Sequence, residues 1–295
     1  MLIRDRLREK IGMSDNEKII ADYFLKADEN IEKDTVRTIA EKTYTSPSTL
    51  IRLCHKLGFT GFSDFKNKYL YEVKYINLKF QNVDANFPFR REDTAREVMS
   101  KITDLYLETI KDTKKIMDMR TLLRCRKICG KSKEIYIFSY GTYLNQAYSF
   151  KEKMMKIGKK VIISSNLNYQ LYEAEIMQAG DMAIIISYSG ETNNSLLIAK
   201  QCKKNNIPTI AITSVGENDL TKICDEILYI STKESLYQNI GDYSIHLSVS
   251  YMLDVLYSLI FQKEFDRFYK TKLQLAMSLE KDRKSTNSII NNEKL

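Results

Sequence analysis

Histidine is nearly absent from this 295-residue chain, and cysteine is sparse and scattered. The five cysteines (Cys54, Cys125, Cys129, Cys202 and Cys224) form no CxxC pair and have no histidine cluster beside them. That argues against a disulfide framework or a zinc site and for reduced thiols in a reducing, cytoplasmic compartment. Nothing implies a metal or another cofactor. No uninterrupted apolar run approaches the roughly 20 residues that span a bilayer, so a membrane partner is not expected. The first ten residues are charged from the start and lack the apolar core of a signal peptide. There is no internal repeat and no low-complexity tract.

What is present is the composition of a globular protein, 43% hydrophobic and 28% charged, long enough for two domains. The net charge of +8 permits a polyanionic partner without demonstrating one.

The stretch that organises the chain begins at Met182. Met182 to Ile186 is an unbroken apolar run, the pattern of a strand buried on both faces of a parallel sheet. It feeds the hydroxyl-rich turn Ser187-Tyr188-Ser189-Gly190-Glu191-Thr192 and a helix over 193–204. A helix start leaves N–H groups unpaired and carries partial positive charge, which suits an anion. Around it the sequence alternates strand and helix: strands at 134–138, 160–163, 182–187, 208–213 and 226–230, helices at 144–157 and 168–178. Five such strands imply a parallel, doubly wound α/β sheet with its ligand at the carboxyl ends of the strands. Three strand-end loops would share one rim: 139–143, 187–192 and 213–218. A long helix is expected over 91–119, with Val98, Ile102, Leu105, Ile110 and Met117 inward. A mostly apolar helix over 242–261 closes the domain. Its Val249, Leu253, Leu256, Leu259 and Ile260 exceed what one packed face needs, which favours contact with a second subunit.

The N-terminal part reads as helical throughout. Ser14 and Glu17 make a capping box, and a second short helix fits 35–42. Then Ser46 caps a helix with Pro47 at its first position and Gly58 at its end. Leu50, Leu53, Cys54 and Leu57 form its buried stripe, leaving Ser48, Thr49, Arg52, His55 and Lys56 on the other side. No acid stands between Lys42 and Asp64. Two short helices joined by a tight turn, the second polar and basic on its free face, form the helix-turn-helix pattern of DNA-binding proteins. The candidate DNA-binding residues are Ser46, Ser48, Thr49, Arg52, His55 and Lys56.

Ser46-x-x-Thr49-x-x-Arg52-Leu-Cys-x-Lys-Leu-Gly58-Phe59-x-Gly61-Phe62 resembles the N-terminal domain of RpiR/MurR-type transcriptional regulators. Residues 134–261, and above all Ser187-Tyr-Ser189-Gly190-Glu191-Thr192, resemble the sugar isomerase (SIS) domain that follows it in that family. The resemblance implies an all-α helix-turn-helix domain plus an α/β domain with a five-stranded parallel sheet of SIS type. It divides the chain into residues 1–76 (DNA binding), 77–90 (linker), 91–262 (phosphosugar binding) and 263–295 (a helical tail, weakly patterned to about 279 and polar beyond). It implies a regulator of sugar-metabolism genes rather than an enzyme, acting as a homodimer or homotetramer on double-stranded operator DNA under a phosphosugar or amino-sugar phosphate effector. The implied ligand residues are Ser139, Gly141, Thr142, Tyr143, Ser187, Ser189, Gly190, Glu191, Thr192 and Asn218, with the phosphate on Ser187, Ser189 and Thr192. Tyr143 and Asn218 stand where the family usually has serine. Two alternatives stay open: a sugar-phosphate isomerase with a helical extension, for which His246, Glu191 and Glu234 are possible bases, and a regulator whose SIS domain only dimerises.

Overall fold

The computed structural model describes residues 2–77, 82–164 and 166–280. Its N-terminal part consists of α1 (Ile3–Glu9), α2 (Asp15–Ala27), a 3-10 segment (Asp28–Lys33), α3 (Val36–Lys42), α4 (Pro47–Lys56) and α5 (Phe62–Asn77). Local chemistry sets most of these boundaries. The Ser14 N–H donates to Glu17 Oε2 at 2.8 Å, closing the box at the start of α2. Ser46 Oγ accepts from the Thr49 N–H, Pro47 opens α4, and Gly58 leaves the helix at φ +84°. Leu50, Leu53, Cys54 and Leu57 meet Ile20, Phe24, Ile39, Phe65 and Tyr69 in one core.

The sequence does not announce α1, because its cap is not local. Leu2 occupies the capping position, and Glu72 on α5 does the capping: its carboxylate accepts from the Ile3 and Arg4 N–H groups at 2.7 and 2.8 Å. Ile3 and Leu7 then seat the helix on the core.

The second part begins with α6 (Ala95–Ile116) and α7 (Met119–Lys131), where the sequence suggests one helix. The chain turns extended at Met117, and Asp118 caps the new helix by accepting from the Thr121 N–H at 2.8 Å. There follow β1 (Glu134–Ser139), α8 (Leu144–Met155), β2 (Lys160–Ile162), α9 (Gln170–Ile176), β3 (Met182–Ile186), α10 (Asn193–Lys204), β4 (Thr209–Ser214), α11 (Asp219–Ile223), β5 (Glu226–Ile230), α12 (Tyr243–Lys263) and α13 (Phe265–Leu279). The described residues form a five-stranded, all-parallel sheet in the order β2-β1-β3-β4-β5. Strand order reverses between β1 and β3, so a crevice opens beyond their carboxyl ends. Alternate strand residues feed two cores. Ile137, Ile184 and Ile212 face α7, α8, α12 and α13, while Phe138, Ile185 and Ala211 face α9 and α10.

Two helices differ from expectation. On α6 only Leu105 of the five expected apolar positions is fully buried; Thr109 and Thr113 go inward instead. Their hydroxyls donate to Ser244 and Ser248 of α12 at 3.0 and 3.1 Å, a polar seam that hydropathy cannot reveal. By length and composition α12 would cross a membrane, with a mean hydropathy of 1.4 over an 18-residue window. It is instead the core helix of this domain: Val249, Leu253, Leu256 and Ile260 are all buried within the chain, and Leu259 is half-buried. Four of the five apolar positions expected to meet a second subunit are thus packed internally, while Leu259, with Val255 and Tyr257, stays partly exposed. The expected polar end of the chain, 281–295, lies outside the described residues.

Candidate functional site

The first site is the free face of α4. Ser46, Ser48, Arg52, His55 and Lys56 are all exposed there. Thr49 is not: it is 8% exposed, with its hydroxyl bonded to Ser46 Oγ at 2.8 Å. The expectation that Thr49 faces DNA is corrected accordingly; its position in the first turn rotates it toward the core. The fold also brings an acid under a face that has none in sequence. Glu17 on α2, 2% exposed, lies 2.8 Å from Lys56 Nζ and 3.5 Å from Arg52 Nε. Burial alone would raise its pKa; the Lys56 hydrogen bond and those from Ser14 outweigh that and bring it down to about 2. His55 Nδ1 pairs with the Phe59 carbonyl at 3.1 Å, tying the end of α4 to the next turn. Tyr44, in the turn between α3 and α4, is a residue the sequence reading passed over. It is 98% exposed at φ +51°, a conformation uncommon outside glycine, so an aromatic ring is held out just before α4.

The second site lies at the carboxyl ends of β1, β3 and β5. Ser139 ends β1; its carbonyl accepts from Gln170 Nε2 at 3.0 Å, and its fully buried Oγ has no hydrogen-bond partner among the described residues. Gly141, at φ +70°, turns the chain into a short 3-10 step with Thr142 exposed and Tyr143 half-buried. After β3, Ser187 Oγ lies 3.1 Å from Thr192 Oγ1 and accepts from the Gly190 N–H. Ser189 Oγ accepts from the Glu191 N–H at 3.2 Å. Thr192 precedes α10 without capping it through its side chain, which leaves the start of a 12-residue helix open to an anion.

Gly190 is required where it is. It sits at φ +68°, and a Cβ there would lie 2.1 Å from the Asn218 side chain. Asn218 itself is scaffold rather than ligand donor, a correction to expectation. It is 5% exposed, its Nδ2 donates to Thr213 Oγ1 at 3.1 Å, and its Oδ1 accepts from the Thr221 N–H to cap α11. The Glu191 carboxylate likewise turns to the start of α11, accepting from the Asp219 N–H at 3.0 Å.

Two further groups complete the crevice. Glu234, in the loop after β5, is 4% exposed; Oε2 accepts from the Ile245 N–H at the start of α12, and Oε1 has no partner among the described residues. Burial pushes its pKa up to about 6, against the pull of the helix-start N–H groups and with some help from the Asp242 charge. Its carbonyl accepts from Tyr188 Oη at 2.6 Å, which ties it to the hydroxyl motif. His246 presents a buried Nε2 without a partner among the described residues, and its ring meets the Tyr143 ring edge-on at 5.8 Å. Burial, then the Asp242 and Glu234 charges, push the Tyr143 phenol up to about 12. The sequence named Glu234 and His246 as possible bases but gave no reason to join them to the hydroxyl loops; they meet only when α12 packs under the sheet. Among the described residues, no group of three or more His, Cys, Asp and Glu gathers as metal ligands would.

Comparison with known proteins agrees with this two-part architecture. Residues 2–73 match the model of the helix-turn-helix domain of the rpiR family, and residues 130–256 match that of the SIS domain. An uncharacterised HTH-type transcriptional regulator of Haemophilus influenzae is 28% identical over 266 residues, 88% of this chain and 90% of that protein. The HTH-type transcriptional regulator RpiR of Escherichia coli is 21% identical over 217 residues, 74% of this chain and 72% of its own length. Among solved structures, Vibrio vulnificus NanR complexed with ManNAc-6P has the same fold across both parts, at a TM-score of 0.60 and 20% identity, covering 96% of this chain and 99% of that one. This chain belongs to the rpiR family of helix-turn-helix transcriptional regulators, with a SIS domain behind its DNA-binding domain.

Proposed function

We propose that this regulator binds operator DNA through the face of α4 and is controlled by a phosphorylated amino sugar held in the SIS crevice. Arg52 reaches a base edge, while Ser46, Ser48, His55, Lys56 and Tyr44 meet the backbone around it. In the crevice the phosphate rests on Ser187, Ser189, Thr192 and the start of α10, with Gly141 and Thr142 at the rim. The sugar end lies against Ser139, Tyr143, Glu234 and His246. One observation carries this reading: buried polar atoms of Ser139, Glu234 and His246 have no partner among the described residues, and the start of α10, which follows β3 beside Ser139 of β1, is left uncapped by the Thr192 side chain. Unpaired buried polar groups are costly, and a hydroxyl-rich anion would satisfy them together. That NanR, of the same fold, is complexed with ManNAc-6P supports an amino-sugar phosphate as the class.

The protein acts without turnover, as a homodimer in the cytoplasm, through unequal affinity of the ligand for two domain arrangements. A second reading, isomerase activity, is favoured by one observation: the buried Glu234 carboxyl, pushed up to about 6, is bonded to the Ile245 N–H, in the helix turn that also carries His246, and such a group could move a proton between neighbouring carbons. Calorimetry with hexose, hexosamine and pentose phosphates, N-acetylmannosamine 6-phosphate among them, tests the first reading. Solvent-deuterium incorporation into the same compounds tests the second. Binding without incorporation is expected; incorporation at a turnover rate would make the protein an enzyme.

A further inference from the structure

The loop after β5 touches the crevice on one side and the DNA-binding domain on the other. Ser231 Oγ donates to Asp112 of α6 at 2.6 Å, and Tyr75, on the last turn of α5, donates through its phenol to the same carboxylate oxygen at 3.1 Å. The Thr232 N–H donates to that phenol oxygen at 2.5 Å. Lys233 Nζ donates to the Tyr75 carbonyl at 2.7 Å and stands 3.9 Å from the ring centroid. Glu234 then enters the crevice and accepts from Tyr188, while the Ser235 N–H donates to Asn86 Oδ1 at 2.6 Å. Five consecutive residues thus bind in turn to α6, to α5, to the hydroxyl motif and to the segment that holds Asn86.

A second tie lies nearby. Arg6 Nη2 pairs with Glu217 at 3.0 Å, and Leu2 packs so closely on Gly216 that a Cβ there would be 2.7 Å away. Close to this tie the two domains leave a cavity of about 590 Å³, lined by Ile3, Phe59, Tyr71, Val215 and Tyr229 among others. Beside the gap, Tyr75 packs with Ile116, Val215 and Tyr229 in one small apolar cluster. A joint held by a few polar contacts and so small a cluster leaves a second arrangement within reach of a ligand's binding energy.

We propose that residues 231–235 are a coupling strap: holding Glu234 in the crevice and holding Tyr75 against the SIS domain reinforce each other. Lys233 and Thr232 are its positioning residues. A ligand hydroxyl that donates to the spare Glu234 oxygen stabilises the strap in this register, and so favours the docked DNA-binding domain. Only this last step rests on the effector reading above.

The test is hydrogen–deuterium exchange on the full chain: wild type, Lys233→Met, Tyr188→Phe and the pair together. Amides of residues 69–77 report docking, and those of 14–56 report the fold of the DNA-binding domain. Each single change is expected to speed exchange at 69–77 about five- to tenfold, the effect of losing one hydrogen bond. The pair should do less than the product of the two. An unchanged reporter in Tyr188→Phe, or fully multiplicative effects, would overturn the coupling. If Lys233→Met also loosens 14–56, Lys233→Gln replaces it. N-acetylmannosamine 6-phosphate provides the ligand arm. Protection of 187–192 with slower exchange at 69–77, abolished by Lys233→Met, supports the strap; protection of 187–192 with no change at 69–77 contradicts it. Absence of protection at 187–192 counts against the effector reading, and the variants then decide the strap by themselves.

Discussion

Lys56 on the exposed face of α4 is anchored from below by Glu17 of α2, its Nζ donating at 2.8 Å to a carboxylate that is only 2% exposed. A buried carboxylate must keep its cation, so this lysine serves the fold as well as any role on the proposed DNA face.

The two basic residues of α4 should therefore separate by measurement. Arg52→Ala is expected to lower selectivity by about 1–3 kcal/mol at one base position with little effect on stability. Lys56→Met should flatten the salt dependence of DNA binding by about one unit and also destabilise the domain, by about 1.5–3 kcal/mol for a charge-assisted bond. Replacing Glu17 by Gln together with Lys56→Met should restore most of the stability but not the salt slope. Salt-dependent anisotropy titrations and denaturant melts distinguish these outcomes.

Two buried carboxyls pull stability in opposite directions with pH. Glu17 sits at about 2 in the fold, below its ordinary 4.5, so its contribution, at most about 3 kcal/mol, is complete above pH 4.5 and lost as pH falls toward 2. Glu234 is raised to about 6, so ionising it costs the fold about 2 kcal/mol; that cost is absent below pH 4.5 and complete once pH has passed 6. Stability in the absence of ligand should thus fall between pH 5 and 7 by more in wild type than in Glu234→Gln. Parallel pH curves for the two proteins in urea melts would remove Glu234 from this role.

Gly190→Ala should abolish effector binding. The added methyl would meet Asn218 at 2.1 Å, and the backbone there is at φ +68°. Asn218→Ala in the same chain relieves the clash but leaves about 1–2 kcal/mol of left-handed strain and an uncapped α11. Partial recovery of binding is the expected result of combining the two, read by calorimetry.

How legible all this is in the sequence depends on how local the cause is. α4 is bounded by Ser46, Pro47 and Gly58, neighbours in the chain, and the sequence places it to within a residue or two. The five strands are apolar runs between helices and are equally plain. α1 is invisible because Glu72, some 70 residues away, caps it. The inward face of α6 is misread because Thr109 and Thr113 are buried against serines, not against apolar side chains. Thr49 and Asn218 belong to the right turns but point inward, a matter of helix phase and capping. The hydroxyl loop of the crevice is a continuous motif and can be read directly. The part formed by Glu234 and His246, proposed above to meet the sugar, is assembled across the closing of α12 and cannot.

In the proposed reading, Tyr143 sets the room available to the sugar. Its ring meets the His246 ring edge-on and is half-buried. Tyr143→Phe should leave ligand affinity within about threefold, since among the described residues the phenol holds no other group of the site by a hydrogen bond. Tyr143→Ser should enlarge the crevice and admit bulkier N-acyl sugar phosphates. A competition titration with ligands of graded size reads the change directly; the same size ranking in all three proteins would place Tyr143 outside the ligand's reach.

The most direct measurement is the affinity of the full chain for a duplex selected from a random-sequence pool, with and without N-acetylmannosamine 6-phosphate and other hexosamine phosphates, in wild type and in Ser139→Ala and Ser187→Ala. At least one phosphosugar is expected to change wild-type DNA affinity by about tenfold or more, the usual scale of coupling between sites. Each serine variant should need about tenfold more of it while binding free DNA as wild type does. DNA affinity indifferent to every phosphosugar, or a response that survives both substitutions, would contradict control through this crevice.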